Sequence, residues 1–275
     1  MHNLVKSFLT SINFDNLSGE KKPDFVINKK FFIKGDNKMK KIKKFLLTIA
    51  MTMIFSVSAF AASGFEFILN VPFGINFSIP NKAAKDFSLG MQGGGDVGVM
   101  AQLGYMISVK DGFGISILGE LGYNWDSYAF ATEGGNSFII RNNFNSFQVG
   151  LLPKFNIGLG GRHGLAVGIG GGVKIPLSGT LFAGYSGIDA VKIFNDEKVN
   201  RTDISDLFSP SVIGYIKATF DYSFFFTDKI AMNFGLYLGY DFGMKIKNLT
   251  LGGNGIGGGA FNLGLQLGFR FGPKA

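Results

Sequence analysis

The chain contains no cysteine among its 275 residues. This absence excludes disulfide bonds, metal sites built from thiolates, and a lipid-modified cysteine at a mature N-terminus. Histidine is almost as scarce, since His2 and His163 are the only two. A single histidine in residues 62–275 is typical of a solvated side chain, so we predict no catalytic site, no cofactor and no metal centre. The glycine-rich segment 253–258 fits a dinucleotide-binding pattern, but no helical sequence follows it, so we interpret that match as accidental.

The formal charge of the chain is +8 at pH 7, which by itself suggests an acidic partner such as nucleic acid. The basic residues, however, are concentrated at the beginning of the chain. Residues 1–61 contain 11 of the 27 Lys and Arg residues and 4 of the 19 Asp and Glu residues, a net charge of +7. Residues 62–275 therefore have a net charge of only +1, and nucleic acid is not predicted as their partner.

Residues 39–61 have the three parts of a secretory signal peptide. Met39 opens a basic segment, Phe45–Phe60 is almost wholly apolar, and Ala59-Phe60-Ala61 is a small-residue cleavage site. The alternative is an uncleaved membrane anchor. Because a signal peptide should begin a chain, we interpret residues 1–38 as an upstream extension with a mis-assigned start, the alternative being a genuine N-terminal segment. The predicted mature domain is 62–275.

Apolar and polar side chains alternate in eight stretches of this domain. The stretches are 64–79, 94–109, 113–128, 142–157, 165–178, 210–226, 230–244 and 259–271. A period of two, with one strongly apolar and aromatic face, is typical of strands that have lipid on one side and a polar lumen on the other. The pattern predicts an all-β fold, an eight-stranded antiparallel up-and-down transmembrane β-barrel.

The connections between the predicted strands alternate in length. Short turns follow the second, fourth and sixth strands, and long loops are predicted at 80–93, 129–141, 179–209 and 245–258. In bacterial barrels short turns face the periplasm and long loops face outside. Pro72, Pro153 and Pro176 lie inside predicted strands, so each should mark a β-bulge or a strand end.

With its even strand number, Ala-x-Ala signal and closing strand Asn262–Phe271, the domain resembles the small eight-stranded bacterial outer-membrane barrels of the OmpA-like and OmpX-like type. The resemblance covers residues 62–275 and implies a bacterial outer-membrane location, reached by secretion and signal cleavage. It also implies outer-membrane lipid and the barrel assembly machinery as partners. The sequence departs from such barrels in one respect, because Gly272–Ala275 follows the terminal aromatic residue.

Charged side chains on the inward faces predict a network inside the lumen. Its members are Glu66, Glu120, Lys154, Lys174, Lys217, Asp221 and Arg270. Eight strands leave an interior just filled by side chains, so we interpret the network as a plug, the alternative being a selective pore. Glu66 and Arg270 are predicted to pair across the closing seam, and Glu120 is predicted to compensate Lys174 and Lys217. Asp126 and Asp241 are interpreted as solvated rim residues.

The third outer loop is the predicted functional segment because it is the longest and mixes charged with apolar residues. Candidate surface contacts are Ile188, Lys192, Ile193, Phe194, Leu207 and Phe208. The alternative is local packing on a short helix capped at Thr202. The sequence therefore favours a non-enzymatic surface barrel, structural or adhesive, whose loops contact a host surface or matrix. A small porin or uptake channel is the alternative, and a lipid-modifying or proteolytic barrel is the least favoured.

Overall fold

The computed structural model of the protein describes residues 63–132, 137–186, 192–251 and 254–275. The predicted leader and upstream extension lie outside these ranges. The elements, in chain order, are β1 Gly64–Pro80, α1 Lys82–Asp86, β2 Leu89–Lys110, β3 Phe113–Thr132, β4 Ser137–Gly158, β5 His163–Ser186, β6 Lys192–Asn200, α2 Arg201–Leu207, β7 Phe208–Ser209, β8 Ile213–Phe225, β9 Ile230–Phe242, β10 Lys245–Leu251 and β11 Asn254–Phe271.

Eight of the strands form a closed antiparallel ring. The order is β1-β2-β3-β4-β5-β8-β9-β11, and β11 pairs back with β1. One circuit of cross-strand partners runs from Ile68 through Gln102, Glu120, Gly150, Gly172, Tyr215, Asp241 and Ala260 to Ser78. The circuit ends ten residues further along β1 than it began. Such a stagger requires strongly tilted strands, as in other closed barrels, and the predicted eight-stranded architecture is confirmed.

The two faces of the ring have opposite character. Along β1, the odd-numbered residues from Phe65 to Ile79 are exposed or half-exposed and apolar, whereas Glu66, Asn70, Asn76 and Ser78 are buried. The same alternation continues around the ring, with exposed Leu, Ile, Val, Phe and Tyr side chains outside and Asn, Gln, Ser and charged side chains inside. An apolar exterior around a polar interior is the arrangement of a barrel that spans a membrane.

Aromatic side chains lie at both ends of the apolar exterior. Phe65 and Tyr105 contact each other edge to face near the turns, with ring centroids 6.2 Å apart. Tyr240 and Phe242 do so at the opposite end of β9, at 5.2 Å. Aromatic girdles at the two membrane interfaces are a regular feature of membrane barrels, so these pairs mark the limits of the belt.

The short turns lie where they were predicted. Asp111-Gly112 joins β2 to β3 with Gly112 at a φ of 74°, a left-handed conformation that glycine adopts without strain. Thr227 closes the turn before β9 by accepting hydrogen bonds from the backbone of Lys229 and Ile230. The long connections all lie at the other end of the ring.

The connections at the outer end are long, as predicted, but their described residues are largely strand and not irregular loop. β2 begins at Leu89, β3 continues to Thr132, β4 begins at Ser137, and β5 extends to Ser186. Backbone pairing continues beyond the belt, but the hydrophobic alternation weakens where lipid no longer contacts the wall. The sequence period therefore underestimates strand length at this end.

The three prolines behave differently from one another. Pro176 lies at a change of register between β4 and β5, as predicted. Pro72 and Pro153 instead interrupt the hydrogen-bonded ladder on one side of their strand. The pairing resumes after each gap in the register that it had before the gap, so neither proline shifts the register. The prediction of a bulge or strand end at these two positions was wrong, because a missing N–H donor removes a hydrogen bond without requiring an extra residue.

Two short helices lie beyond the outer end of the ring. Asn81 caps α1 by accepting a hydrogen bond from the Ala84 backbone N–H at 2.9 Å. Asn200 caps α2 in a capping box with Asp203, so the predicted cap at Thr202 was wrong. No helix within the described ranges is long and apolar enough to cross a membrane.

Candidate functional site

The lumen near the short turns is filled by what we call the seam group, Glu66, Arg270, Ser116 and Asn156. Arg270 Nε lies 2.9 Å from Glu66 Oε1, so the predicted ion pair across the β1–β11 seam is present. Ser116 also donates to Glu66, and Arg270 Nη1 donates to Asn156 Oδ1 at 3.0 Å. All four side chains are buried. The group joins β1, β3, β4 and β11 across the interior.

Two further ion pairs cross the middle of the lumen. Lys154 Nζ lies 2.8 Å from Asp221 Oδ2, and both side chains are 1% exposed. Asp221 also accepts hydrogen bonds from Gln266 and Asn233. We call these four residues the Asp221 group.

Glu120 forms the second central pair with Lys217, at 2.7 Å. Its carboxylate also accepts hydrogen bonds from Gln102 at 2.9 Å and from the Tyr215 hydroxyl at 3.2 Å. We call these the Glu120 group. The prediction that Glu120 also compensates Lys174 was wrong, because Lys174 has two other carboxylate partners.

Those partners are Asp126 and Asp241, which lie 2.9 Å and 2.8 Å from Lys174 Nζ. Asn124 donates to Asp126, and the Tyr128 hydroxyl donates to Asp241, both at 2.8 Å. The interpretation of Asp126 and Asp241 as solvated rim residues was wrong, since both carboxylates are buried. The alternation of the sequence correctly predicted that both side chains point inward. Because β3 is longer than predicted, however, Asp126 was expected closer to the rim than it lies.

Asp96 is the remaining inward carboxylate of the described residues. It accepts a hydrogen bond from the Tyr237 hydroxyl, and no Lys or Arg of the described residues lies within ion-pair distance. Asp96 is the direct cross-strand partner of Asp126. The two like charges therefore face the same part of the lumen.

Apolar side chains close the outer mouth above these charges. Phe144, Ile204, Phe208 and Ile213 are buried together, with Phe144 and Phe208 packed edge to face at 5.7 Å. Leu207 packs against the same cluster, which we call the mouth cluster. The predicted surface contacts Leu207 and Phe208 are therefore part of local packing around α2. A second apolar cluster, built on α1, includes Ala84, Phe130 and Ile256.

An extension of the wall that includes β4, β5 and β6, which we call the outer sheet, projects past the ring. β5 pairs with β8 only as far as Lys174, but pairs with β4 as far as Ser186 and with β6 over Ser178–Gly184. At about 3.3 Å per residue, the 12 residues from Lys174 to Ser186 extend roughly 40 Å along the strand. Arg141 lies 5.2 Å from the Phe182 ring and 3.6 Å from Asp196.

Three of the four remaining loop candidates lie on β6 of this sheet. Lys192, Ile193 and Phe194 belong to β6, with Lys192 opposite Gly184 and Phe194 opposite Ala183. Their side chains, and Ile188 as a whole, lie outside the described residues. Within the described residues β6 pairs with β5 alone, so it forms an edge of the outer sheet.

His163 begins β5 at the opposite end, where it is exposed and its Nδ1 lies 2.6 Å from the Tyr222 hydroxyl. No carboxylate or serine contact accompanies it among the interactions described. In the same parts of the chain, no three His, Asp or Glu side chains converge as a metal cage.

Neither a protein-family model nor a characterised protein sequence matches this chain. Several solved structures align with most of this chain at low TM-scores. Neisserial surface protein A aligns at a TM-score of 0.35 with 8% identity, over 75% of this chain and 96% of its own. The outer membrane protease OmpT of Escherichia coli gives 0.35 and 8%, over 78% and 98%. The attachment invasion locus protein Ail of Yersinia pestis gives 0.28 and 13%, over 76% and 99%.

Because these TM-scores are low, the class of this protein rests on its own register and burial. The closed ring of eight strands, the apolar exterior and the buried polar interior define an eight-stranded transmembrane β-barrel. Its interior carries four sets of ion pairs, and its outer end carries a sheet edge and a packed mouth.

Proposed function

We propose that the protein is a non-enzymatic outer-membrane barrel that presents the outer sheet as a contact surface for a host cell or matrix. The observation that carries this proposal is the division of the molecule into a lumen filled with ion pairs and a wall that continues outward on one side. A filled lumen serves stability, whereas an extended rigid sheet serves presentation.

The filled lumen argues against the alternative of a small porin or uptake channel. A solute would have to displace three groups of mutually satisfied charges, and separating a buried ion pair costs several kcal/mol per pair. It would also have to pass the mouth cluster. We therefore expect no steady conductance from the purified barrel in planar bilayers.

Large, steady unitary currents from the wild-type protein would refute the closed lumen and favour the channel. The positive control is a variant with a weakened plug, Glu120→Ala combined with Lys217→Ala. It removes one charged pair, and with it the carboxylate that accepts hydrogen bonds from Gln102 and Tyr215. The outer sheet is untouched, so any conductance that the variant gains measures what the plug excludes.

We assign the contact surface to segment 187–195, which follows β5 in the chain and includes the beginning of β6. Removing the whole of 188–208 would be a poor test, because Val199, Ile204 and Phe208 support the mouth cluster. We instead propose replacing 187–195 by a short Gly-Ser linker, which leaves α2 and its packing in place. Proteoliposomes carrying this variant should lose binding to epithelial cells or immobilised matrix proteins.

The control replaces 133–136, the connection between β3 and β4, by the same linker. Both variants should keep the slow unboiled band on an SDS gel relative to their own boiled form, which shows that the ring is intact. Equal binding by the wild type and the 187–195 variant would remove this segment from the contact surface. Equal loss in both variants would show that the outer end as a whole, and not this segment, is responsible.

A further inference from the structure

The four residues that follow β11 turn back into the barrel, and we call Gly272–Ala275 the strap. β11 ends at Phe271. Gly272 then has a φ of 153°, in a region that favours glycine, and redirects the chain. Gly272 and Pro273 are buried, and Lys274 and Ala275 are half-buried. A segment that extended into solvent would be largely exposed, so the strap is packed against the rest of the molecule.

The strap reaches from one side of the ring to the other at the end with the short turns. It leaves β11, and β4 lies opposite, because β1, β2 and β3 separate the two strands on one side and β5, β8 and β9 on the other. The Lys274 ammonium nevertheless donates to the Gly161 carbonyl oxygen, in the turn between β4 and β5. A Cβ on Gly158, where β4 ends, would lie 2.5 Å from the Ala275 carbonyl oxygen. The strap therefore crosses the opening of the lumen.

The middle of the strap is bonded to the seam group. Arg270 Nη2 donates to the Pro273 carbonyl oxygen at 3.3 Å and contacts the Met106 sulfur at 3.5 Å. Arg270 is 3% exposed, and a buried guanidinium needs acceptors for all of its N–H groups. Glu66 and Asn156 face the other two nitrogens of this side chain. The strap thus supplies an oxygen that water would otherwise have to provide.

The composition of the strap keeps the cost of ordering it low. Gly, Pro and Ala side chains lose almost no rotamer freedom when they are buried, and proline has a fixed φ before the chain folds. Lys274 is the single residue of the strap with a long flexible side chain. Glycine is also required sterically at position 272, because a Cβ there would lie 3.0 Å from the Glu66 Cα atom.

We propose that the strap closes the lumen at the turn end of the barrel, as the mouth cluster closes it at the outer end. Short turns of bacterial barrels face the periplasm, so the strap separates the seam group from that compartment. Its distant contacts lie on β4 and on the turn after β4, so it can seat only when the ring is complete. This closure is independent of the proposed contact surface, which lies at the other end of the molecule.

The test measures how fast a thiol reagent enters the lumen from the turn end. The natural chain has no cysteine, so Ser116→Cys places a single thiol in the seam group, where the serine is fully buried. In the refolded, detergent-solubilised barrel this thiol should react slowly with a water-soluble methanethiosulfonate. Deleting Pro273–Ala275 should accelerate the reaction about tenfold or more, because labelling of a buried group follows the fraction of time that its cover is open.

A second variant displaces the strap without shortening it. Gly272→Val places a β-branched side chain at a φ of 153° and pushes its Cβ against Glu66, so it should accelerate labelling at Ser116→Cys as the deletion does. Both variants should keep the difference in migration between unboiled and boiled samples on an SDS gel, since β11 is intact in each.

The control thiol is Ser146→Cys, at a buried position of β4 nearer the outer end of the ring. The ion pairs of the plug lie between it and the strap, so neither variant should change its labelling rate. Rapid labelling of Ser116→Cys in the barrel with its strap, or an unchanged rate in both variants, would overturn the closure. Equal acceleration at both thiols would also overturn it, because the whole barrel would then be loosened.

Discussion

Lys154→Met tests whether the interior charges hold the barrel together as a plug. The substitution keeps most of the side-chain length and removes the ammonium group, which leaves Asp221 as a buried carboxylate without its cation. Breaking a buried pair in this way costs about 3–5 kcal/mol. Gln266 and Asn233 still donate to Asp221, so we expect a loss at the lower end of this range, about 3 kcal/mol.

The assay is equilibrium unfolding in urea with refolding into lipid vesicles. Trp125 is the only tryptophan and lies on the exterior, 36% exposed, so its fluorescence reports whether that face contacts lipid. Lys110→Met, at an exposed turn, is the matched control and should change the free energy of unfolding by less than about 0.5 kcal/mol.

Adding Asp221→Leu to Lys154→Met removes the stranded charge as well. The double variant should recover much of the lost stability, because replacing both partners of a buried pair by apolar groups is often neutral. The reasoning fails if Lys154→Met unfolds within 1 kcal/mol of the wild type, or if the double variant is less stable than the single one.

Three other outcomes follow from the same geometry. Unheated protein should migrate differently from boiled protein on an SDS gel, since a closed ring leaves no unpaired strand edge for detergent to open; identical migration would contradict closure. Gly104→Ala should destabilise the barrel by about 1–3 kcal/mol, because the added Cβ would overlap the Ile117 carbonyl oxygen. Gly119→Ala is its control and should fold normally in the same urea assay, because the nearest atom to the added Cβ is 3.6 Å away. Glu120→Gln should lower stability by leaving Lys217 unpaired, and a further Lys217→Met change that gives no recovery would argue against that pair.

The outer half of the molecule shows why part of the site was not predictable. Within the belt, lipid on one side and polar side chains on the other impose a strict period of two, so strand number and facing followed from the sequence. Beyond the belt, β4, β5 and β6 have no such constraint, and their pairing continues through Gly, Asn, Ser and charged residues that resemble loop sequence. The same uncertainty about strand length put Asp126 at the rim.

The partners of Lys174 were equally beyond the sequence. The alternation of inward and outward positions along each strand gave the inward direction of Glu66, Glu120 and Lys174. The pair across the β1–β11 seam followed because both of its residues lie near strand ends, which fixes their height in the barrel and the strand that each one faces. In the middle of the barrel, the stagger of ten residues around the ring decides which inward side chains meet, and it brings Lys174 to Asp126 and Asp241.

The sequence by itself determined the class of the fold, the number of strands, which residues face outward and where the tight turns lie. These are consequences of local alternation and of turn residues such as Asp111-Gly112, which need no knowledge of distant contacts. Only the tertiary structure decided the lengths of the outer strands, the packing of Phe208 into the mouth and the pairing of Lys174 with Asp126 and Asp241. Those features depend on tilt and stagger, which arise when the ring closes and are set by all eight strands together.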